Sequence, residues 1–98
     1  MNQEVKISEI QIVPVKPKDG LIGFASFVID EKYYVGSVAI FTRLGKSGYR
    51  LVYPSKKLGE KNINLFHPIN HRAGEIIEEE VTKRIEQLMN SGYINEQG

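Results

Sequence analysis

The sequence predicts an α+β fold, namely an antiparallel sheet of about five strands followed by one C-terminal amphipathic α-helix. Up to about residue 66, short runs rich in β-branched and aromatic residues alternate with turn residues, which is typical of strands. From residue 70 the apolar residues recur every three or four positions, which is the period of one helical face. A chain of 98 residues has room for one core, so residues 1–98 are expected to form a single domain.

Five segments are predicted as strands. The first, residues 5–15, is expected to end at Pro14 and Pro17, because proline lacks the N–H that a sheet needs. Lys18-Asp19-Gly20 has turn chemistry and predicts a hairpin into the next strand. The other four strands are residues 21–29, 33–41, 49–53 and 63–66, and Pro54 and Pro68 stop the last two.

The helix is predicted to begin after Asn70, whose side-chain oxygen can accept a hydrogen bond from a free N–H of the first turn. Gly92 is predicted to end the helix, so the core is expected to span about residues 5–89 and residues 90–98 to form a frayed tail. The apolar face of the helix consists of Ala73, Ile76, Ile77, Val81, Ile85, Leu88 and Met89.

The second and third strands carry large apolar residues on both faces, as Phe24 and Phe27 illustrate. One amphipathic helix covers only one face of a sheet. The other face, or an uncovered edge, is therefore expected to be buried by a second copy of the chain, since exposed apolar patches usually mark interaction surfaces. The sequence thus predicts a homodimer.

The composition argues against several classes of protein. The chain has no cysteine, and hence no disulfide, thiolate metal site or cysteine nucleophile. Its longest apolar run is too short to cross a bilayer, and its first residues lack the pattern of a signal peptide. A cytoplasmic protein with no membrane partner is expected.

No catalytic or metal-binding group of residues is recognisable either. His67 and His71 are four apart, but Pro68 disfavours helical geometry at His67 and no third ligand is near. Ser55 beside Lys56 resembles a Ser/Lys dyad without the desolvated pocket and oxyanion hole that such a dyad needs. We therefore expect no enzyme activity, no metal, no cofactor and no small-molecule substrate.

Charge is distributed unevenly along the chain. Residues 1–42 contain four lysines and five acids, residues 43–72 contain seven basic residues and one acid, and residues 73–98 contain two basic residues and six acids. The net charges of these segments are −1, +6 and −4. Such a dipolar molecule attracts polyanions to its basic side, although the basic residues could also simply solvate loops.

Two groups of residues in the basic segment suit phosphate. Ser55, Lys56 and Lys57 are predicted in the loop after the fourth strand, and Asn70, His71 and Arg72 at the helix start, where free N–H groups favour an anion. Together they supply point charges, a planar guanidinium and neutral hydrogen bonds, as phosphate contacts on nucleic acid do. Tyr49 and Tyr53 share one face of their strand, where they serve either core packing or base stacking.

The stretch YPSKKLGEKNINLFHPIN, followed by an amphipathic helix and preceded by a DG turn, FASFVID and VGSVAIF, resembles the SpoVG family over residues 7–88. This resemblance implies a small dimeric α+β cytoplasmic protein that binds DNA, and in some members RNA, and acts in gene regulation and septation or developmental control. The basic pair of the family falls on Lys56 and Lys57, and its basic residue after His-Pro-Ile-Asn falls most nearly on Arg72.

The sequence departs from the family pattern at Lys57, where members usually have arginine. A lysine lacks the bidentate fork that recognises guanine, so base specificity is expected to be weaker or different. The alternative to nucleic-acid binding is a protein interaction module whose apolar sheet face or edge binds another protein. Salt dependence separates the two, because phosphate contacts release counterions and an apolar interface does not.

Overall fold

The computed structural model describes residues 4–45 and 47–92 and confirms the α+β fold. The main sheet is antiparallel with four strands in the order β1-β2-β3-β4, and two further strands form a separate two-stranded sheet. The elements are β1 (Ile7–Lys18), β2 (Leu21–Ile29), β3 (Tyr33–Thr42), β4 (Tyr49–Val52), β5 (Ser55–Leu58), β6 (Lys61–Asn64) and α1 (His71–Asn90).

The core lies between α1 and one face of the main sheet. Phe27, Val38 and Ile40 are fully buried on the sheet side, opposite Val81 and Ile85 of the helix. Full burial of one such side chain contributes roughly 1.5–3 kcal/mol relative to exposure. The face of α1 that the apolar spacing predicted is therefore the face that packs on the sheet.

The ends of α1 are fixed by its caps. The Asn70 side-chain oxygen accepts a hydrogen bond from the Ala73 N–H at 3.1 Å, which confirms the predicted start. At the other end the Ser91 N–H bonds to the Gln87 carbonyl, and Gly92 adopts a φ of 81°, as expected of a stop. The part of the predicted tail at residues 93–98 lies outside the described residues.

The predicted end of the first strand was wrong, because β1 continues past both prolines to Lys18. β1 is an edge strand, so a proline can turn its missing N–H away from the ladder without losing a hydrogen bond. Pro14 still pairs with Gly23, and the register shifts between Ser8 and Gln11 and again between Pro14 and Lys18. At the other edge β4 ends at Val52, one residue earlier than predicted.

The segment after β4 also differs from the prediction. Residues 55–57 form strand β5 rather than a loop, and the predicted fifth strand at residues 63–66 is instead β6 at Lys61–Asn64. β5 and β6 pair with each other and leave the main sheet, with Leu58 opposite Lys61 across a two-residue turn. Gly59 has a φ of 62° at the first turn position, which a tight hairpin requires.

The face of the main sheet opposite α1 carries an apolar row. Val13 pairs with Phe24, Phe24 with Ala39, and Ala39 with Val52, so the row crosses all four strands. Side chains alternate between the two faces of a strand, which places this row away from the buried Ile12, Ala25 and Val38. Val13 is 61% exposed, and Phe24 and Val52 are exposed as well. The expectation of two apolar sheet faces is thus confirmed.

Candidate nucleic-acid interface

The structure divides the six predicted site residues into two groups. Ser55, Lys56 and Lys57 lie on β5, and we call β5 and β6 with their turn the ribbon. His71 and Arg72 open α1, with Asn70 as its cap. In the described part of the chain no hydrogen bond or ion pair joins the two groups.

The ribbon is attached to the core at its base and exposed along its length. The Pro54 carbonyl accepts hydrogen bonds from the N–H groups of Leu65 at 3.0 Å and Phe66 at 3.4 Å, which closes the base. The Phe66 ring lies 6.5 Å from that of Phe27 and 5.6 Å from that of Tyr53. All eight strand residues beyond this base are exposed. An anchored hairpin that projects from the domain in this way is suited to contacting another molecule.

Register assigns the ribbon residues to two faces. Ser55 pairs with Asn64 and Lys57 with Asn62, and these four residues form what we call the polar face. Lys56 pairs with Ile63 and Leu58 with Lys61, which form the mixed face. Because side chains alternate along a strand, Lys56 and Lys57 point to opposite sides of the ribbon. The two lysines therefore cannot both contact a partner bound on one side of the ribbon. In a loop, as predicted, they could have done so.

The cations of the ribbon are not neutralised by the chain itself. Lys56, Lys57 and Lys61 form no ion pair within residues 4–45 and 47–92. The one acid of the ribbon, Glu60, lies in its turn. On the mixed face Leu58 is 52% and Ile63 43% exposed. The ribbon thus presents positive charge and some apolar surface to its surroundings.

Arg72 at the start of α1 is engaged by acids of the same chain. Its Nε lies 2.8 Å from Glu4 Oε2, and its Nη1 lies 3.4 Å from Glu75 Oε1 and 3.6 Å from Glu79 Oε2. The hydrogen bond from Arg72, and then its charge, lower the pKa of the Glu4 carboxyl. The same contacts raise the pKa of Arg72 further above its ordinary value. A phosphate would have to compete with these carboxylates for the guanidinium.

The other two residues at the helix start are similarly committed. His71 Nε2 lies 3.4 Å from Glu75 Oε2, and the Asn70 side-chain oxygen caps Ala73. The depression beside them is lined by Glu75 and Glu78 as well as by Asn70 and His71. Carboxylates at this position oppose the attraction that a helix N-terminus exerts on anions. Of the two groups, the ribbon offers the better setting for phosphate.

Tyr49 and Tyr53, for which base stacking was the alternative to core packing, lie beside the core. The Tyr49 hydroxyl donates to Met89 Sδ at 3.2 Å, and both Tyr49 and Tyr53 pack against the buried core. The Tyr53 hydroxyl is buried and has no hydrogen-bond partner among the described residues. Burial, and then the charge of Glu78, raise the pKa of Tyr53 to about 12. These surroundings support core packing over base stacking.

Sequence reasoning missed three residues of the ribbon, namely Lys61, Asn62 and Asn64. Their signal was the spacing around Leu58-Gly59-Glu60-Lys61, in which a glycine at the first of two turn positions predicts a hairpin. In a hairpin with this turn, Asn62 lies opposite Lys57 and Asn64 lies opposite Ser55, so both asparagines share the face of Lys57. We therefore include them in the candidate interface.

Comparison with known protein families gives a match over most of the chain. The SpoVG family model matches residues 5–87, from before β1 into the last turns of α1. No curated protein matches the chain significantly. Within the described residues, α1 lacks the length and apolar character that a membrane-spanning helix requires.

Proposed function

The chain belongs to the SpoVG family, and from this premise we propose that it is a dimeric nucleic-acid-binding regulatory protein of the cytoplasm. Its role would be in gene regulation and in septation or developmental control, consistent with a family that is in general regulatory and non-enzymatic. The observation that carries the proposal is the exposed ribbon with its three lysines, none of which is paired within the described residues.

The electrostatics of the ribbon support a polyanionic partner. Lysines that reach phosphates displace condensed counterions, which supplies sequence-independent affinity. The helix carries the opposite charge, with glutamates from Glu75 to Glu86, and it repels the same polyanion. The electric field of DNA would therefore orient the molecule so that the positively charged ribbon approaches first.

The apolar row supports the dimer. Val13, Phe24, Ala39 and Val52 form a continuous strip across the open sheet face, and a second copy could bury it with its own row. A dimer would carry two ribbons and would double every phosphate contact. Association of this kind would also shield apolar surface that a small domain leaves exposed.

The test is a salt titration of binding to random-sequence duplex DNA. Lys56→Ala removes two phosphate contacts per dimer, so the slope of log K against log salt should flatten by about 1.8, at roughly 0.9 per contact. Lys32→Ala is the matched control, because this exposed lysine lies in the β2–β3 turn and makes no ion pair in the described part of the chain. Its slope should equal that of the wild type.

Two outcomes would contradict the proposal. One is wild-type protein that binds no nucleic acid at low salt. The other is a variant with Lys56, Lys57 and Lys61 all replaced by alanine that binds as the wild type does. Either result would favour the second candidate function, a protein interaction module.

The apolar row and the exposed Leu58 and Ile63 of the mixed face are the observations that favour this second candidate. Its binding to a protein partner should depend little on salt, because an apolar interface releases few counterions.

A further inference from the structure

We infer that the ribbon enters the major groove of duplex DNA with its polar face toward the base edges, and that Asn62 and Asn64 read sequence there, with adenine as the preferred base. This inference rests on the proposed function. It goes beyond that function by assigning sequence selectivity to two residues and a groove to the ribbon.

The dimensions of the ribbon match the major groove. Two paired strands lie about 4.8 Å apart, and a groove about 12 Å wide admits a two-stranded ribbon. A strand of four residues spans roughly 13 Å, so one face covers about three to four base pairs. At the tip, a Cβ built on Gly59 would meet no atom within 4 Å, so the turn is unobstructed by the rest of the chain.

The chemistry of the polar face matches base edges. Asn62 and Asn64 lie on the same strand two positions apart, and neither side chain makes a hydrogen bond within the described residues. Each amide offers one acceptor and a donor pair, which complement N6 and N7 of adenine in a bidentate contact. Lys57 and Ser55, directly opposite, add a cation and a hydroxyl to the same face.

The mixed face lacks this capacity. The side chains of Leu58 and Ile63 have no hydrogen-bonding group, and the lysines beside them carry their charge at the end of a flexible stem. With the polar face in the groove, Lys56 and Lys61 can extend sideways toward the phosphates of the groove walls. The two faces would then have different roles. The asparagines of the polar face would provide selectivity, and the lysines of the mixed face would provide affinity for any sequence.

The experiment uses the full chain and a pool of duplexes with a randomised centre, from which bound molecules are recovered and sequenced. Wild type should enrich a short motif containing adenine. The Asn62→Ala and Asn64→Ala double variant should lose discrimination at those positions by about 5- to 150-fold per lost bidentate contact. Its affinity for the unselected pool should stay within about twofold, since affinity for unselected sequence comes from phosphate contacts.

Matched variants separate this inference from the proposed function. Lys56→Ala should weaken binding to all sequences alike and leave the motif unchanged, whereas Ile63→Ala should alter neither. Both faces are exposed, so every variant should melt as the wild type does. A second probe, double-stranded RNA of the enriched sequence, should bind more weakly, because the deep, narrow major groove of RNA excludes side chains.

The outcomes are distinct. If wild type binds DNA in a lysine-dependent way but enriches no motif, or if the double asparagine variant keeps the motif, the inference is overturned and the proposed function stands. If Ile63→Ala loses the motif and the double asparagine variant keeps it, the mixed face lies in the groove and the inference is overturned. If double-stranded RNA binds as tightly as DNA, the ribbon does not enter the major groove, and the inference is again overturned. Wild type that binds no nucleic acid overturns both.

Discussion

The guanidinium of Arg72 lies 2.8 Å from the carboxylate of Glu4, a residue 68 positions earlier in the chain. The contact ties the segment before β1 to the first turn of α1. Together with Glu75 and Glu79, it surrounds the cation with three carboxylates. A residue that sequence alone suggests as a phosphate ligand is thus already neutralised by its own chain.

This relationship predicts that Glu4→Gln strengthens DNA binding. Removing one carboxylate leaves Arg72 less neutralised and increases the net charge, so affinity at low salt should rise by up to about fivefold, and less at high salt. Glu31→Gln is the control, because it also removes an exposed, ion-paired carboxylate, but at the β2–β3 turn. A Glu4→Gln variant that gains no more affinity than the Glu31→Gln variant would show that Arg72 takes no part in binding.

A second prediction concerns the titration of Glu4. Because its pKa is lowered in the folded state, the contact with Arg72 contributes stability at neutral pH, and that contribution is lost as the pH falls through the lowered pKa. Side-chain carboxyl shifts measured by NMR should place the pKa of Glu4 below the ordinary value of a glutamate carboxyl. Arg72→Ala should return the Glu4 pKa to its ordinary range. An unchanged value would exclude Arg72 as the cause.

The buried hydroxyl of Tyr53 predicts a stability that falls at high pH. Its pKa is about 12 when folded and about 10 in an unfolded chain, so the unfolded state loses its proton first and stability declines between these values. Tyr53→Phe should lessen this decline. It should also raise the free energy of unfolding at pH 7 by about 1 kcal/mol, because an unpartnered hydroxyl leaves the interior.

Tyr33→Phe is the matched control, since the Tyr33 side chain is exposed and should affect neither quantity. Chemical denaturation across the pH range measures both. A Tyr53→Phe protein that is less stable than wild type at pH 7 would indicate that the hydroxyl has a hydrogen-bond partner in solution.

Two glycines should respond oppositely to alanine. A Cβ at Gly23 would lie 2.7 Å from the carbonyl oxygen of Val13 on the neighbouring strand, so Gly23→Ala must displace backbone and should destabilise the domain by about 1–3 kcal/mol. Gly74 lies inside α1, where the nearest atom to a new Cβ is 3.4 Å away on Pro68. Gly74→Ala should stabilise by about 0.5–1 kcal/mol through helix propensity. The midpoints of denaturant unfolding measure both effects. Equal shifts of the midpoint in the two variants would contradict the close approach of β1 to β2 at Gly23.

The apolar row predicts the oligomeric state. Wild type should sediment at about twice the 11.1 kDa of one chain, and Phe24→Lys should shift the mass to that of one chain, since it places a charge at the centre of the row. Leu44→Lys adds the same charge in the exposed turn after β3 and should remain dimeric. Wild type that sediments as one chain at micromolar concentration would rule out the dimer, and a dimeric Phe24→Lys protein would move the interface elsewhere.

The sequence predicted those helices and strands in which one side is buried, because burial of one side makes apolar residues recur at a regular spacing. The bounds of β2 match the prediction, and Asn70 and Gly92 marked the ends of α1, because apolar spacing and capping chemistry are local properties. The strands of the ribbon have no such period. Lysine and asparagine have low strand propensity, and the pairing of β5 with β6 depends on a single turn.

The candidate site was predictable only in part for the same reason. Lys56 and Lys57 are recognisable from their charge, but their opposite directions depend on β5 being a strand. The engagement of Arg72 by Glu4 depends on a contact across most of the chain, and no local pattern encodes such a contact. Likewise, the tolerance of Pro14 and Pro17 in β1 follows from the edge position of that strand, which is a property of the assembled sheet.

The closure of the ribbon at Pro54 has an evolutionary consequence. Because the hairpin leaves and rejoins the domain at one point, and none of its eight strand residues is buried, substitutions there leave the core intact. Most mutations in a small domain are removed because they unfold it, but changes at these positions avoid that filter. Under the proposed function, the preference for a target and the stability of the fold therefore depend on different residues, so the first can change while the second is kept.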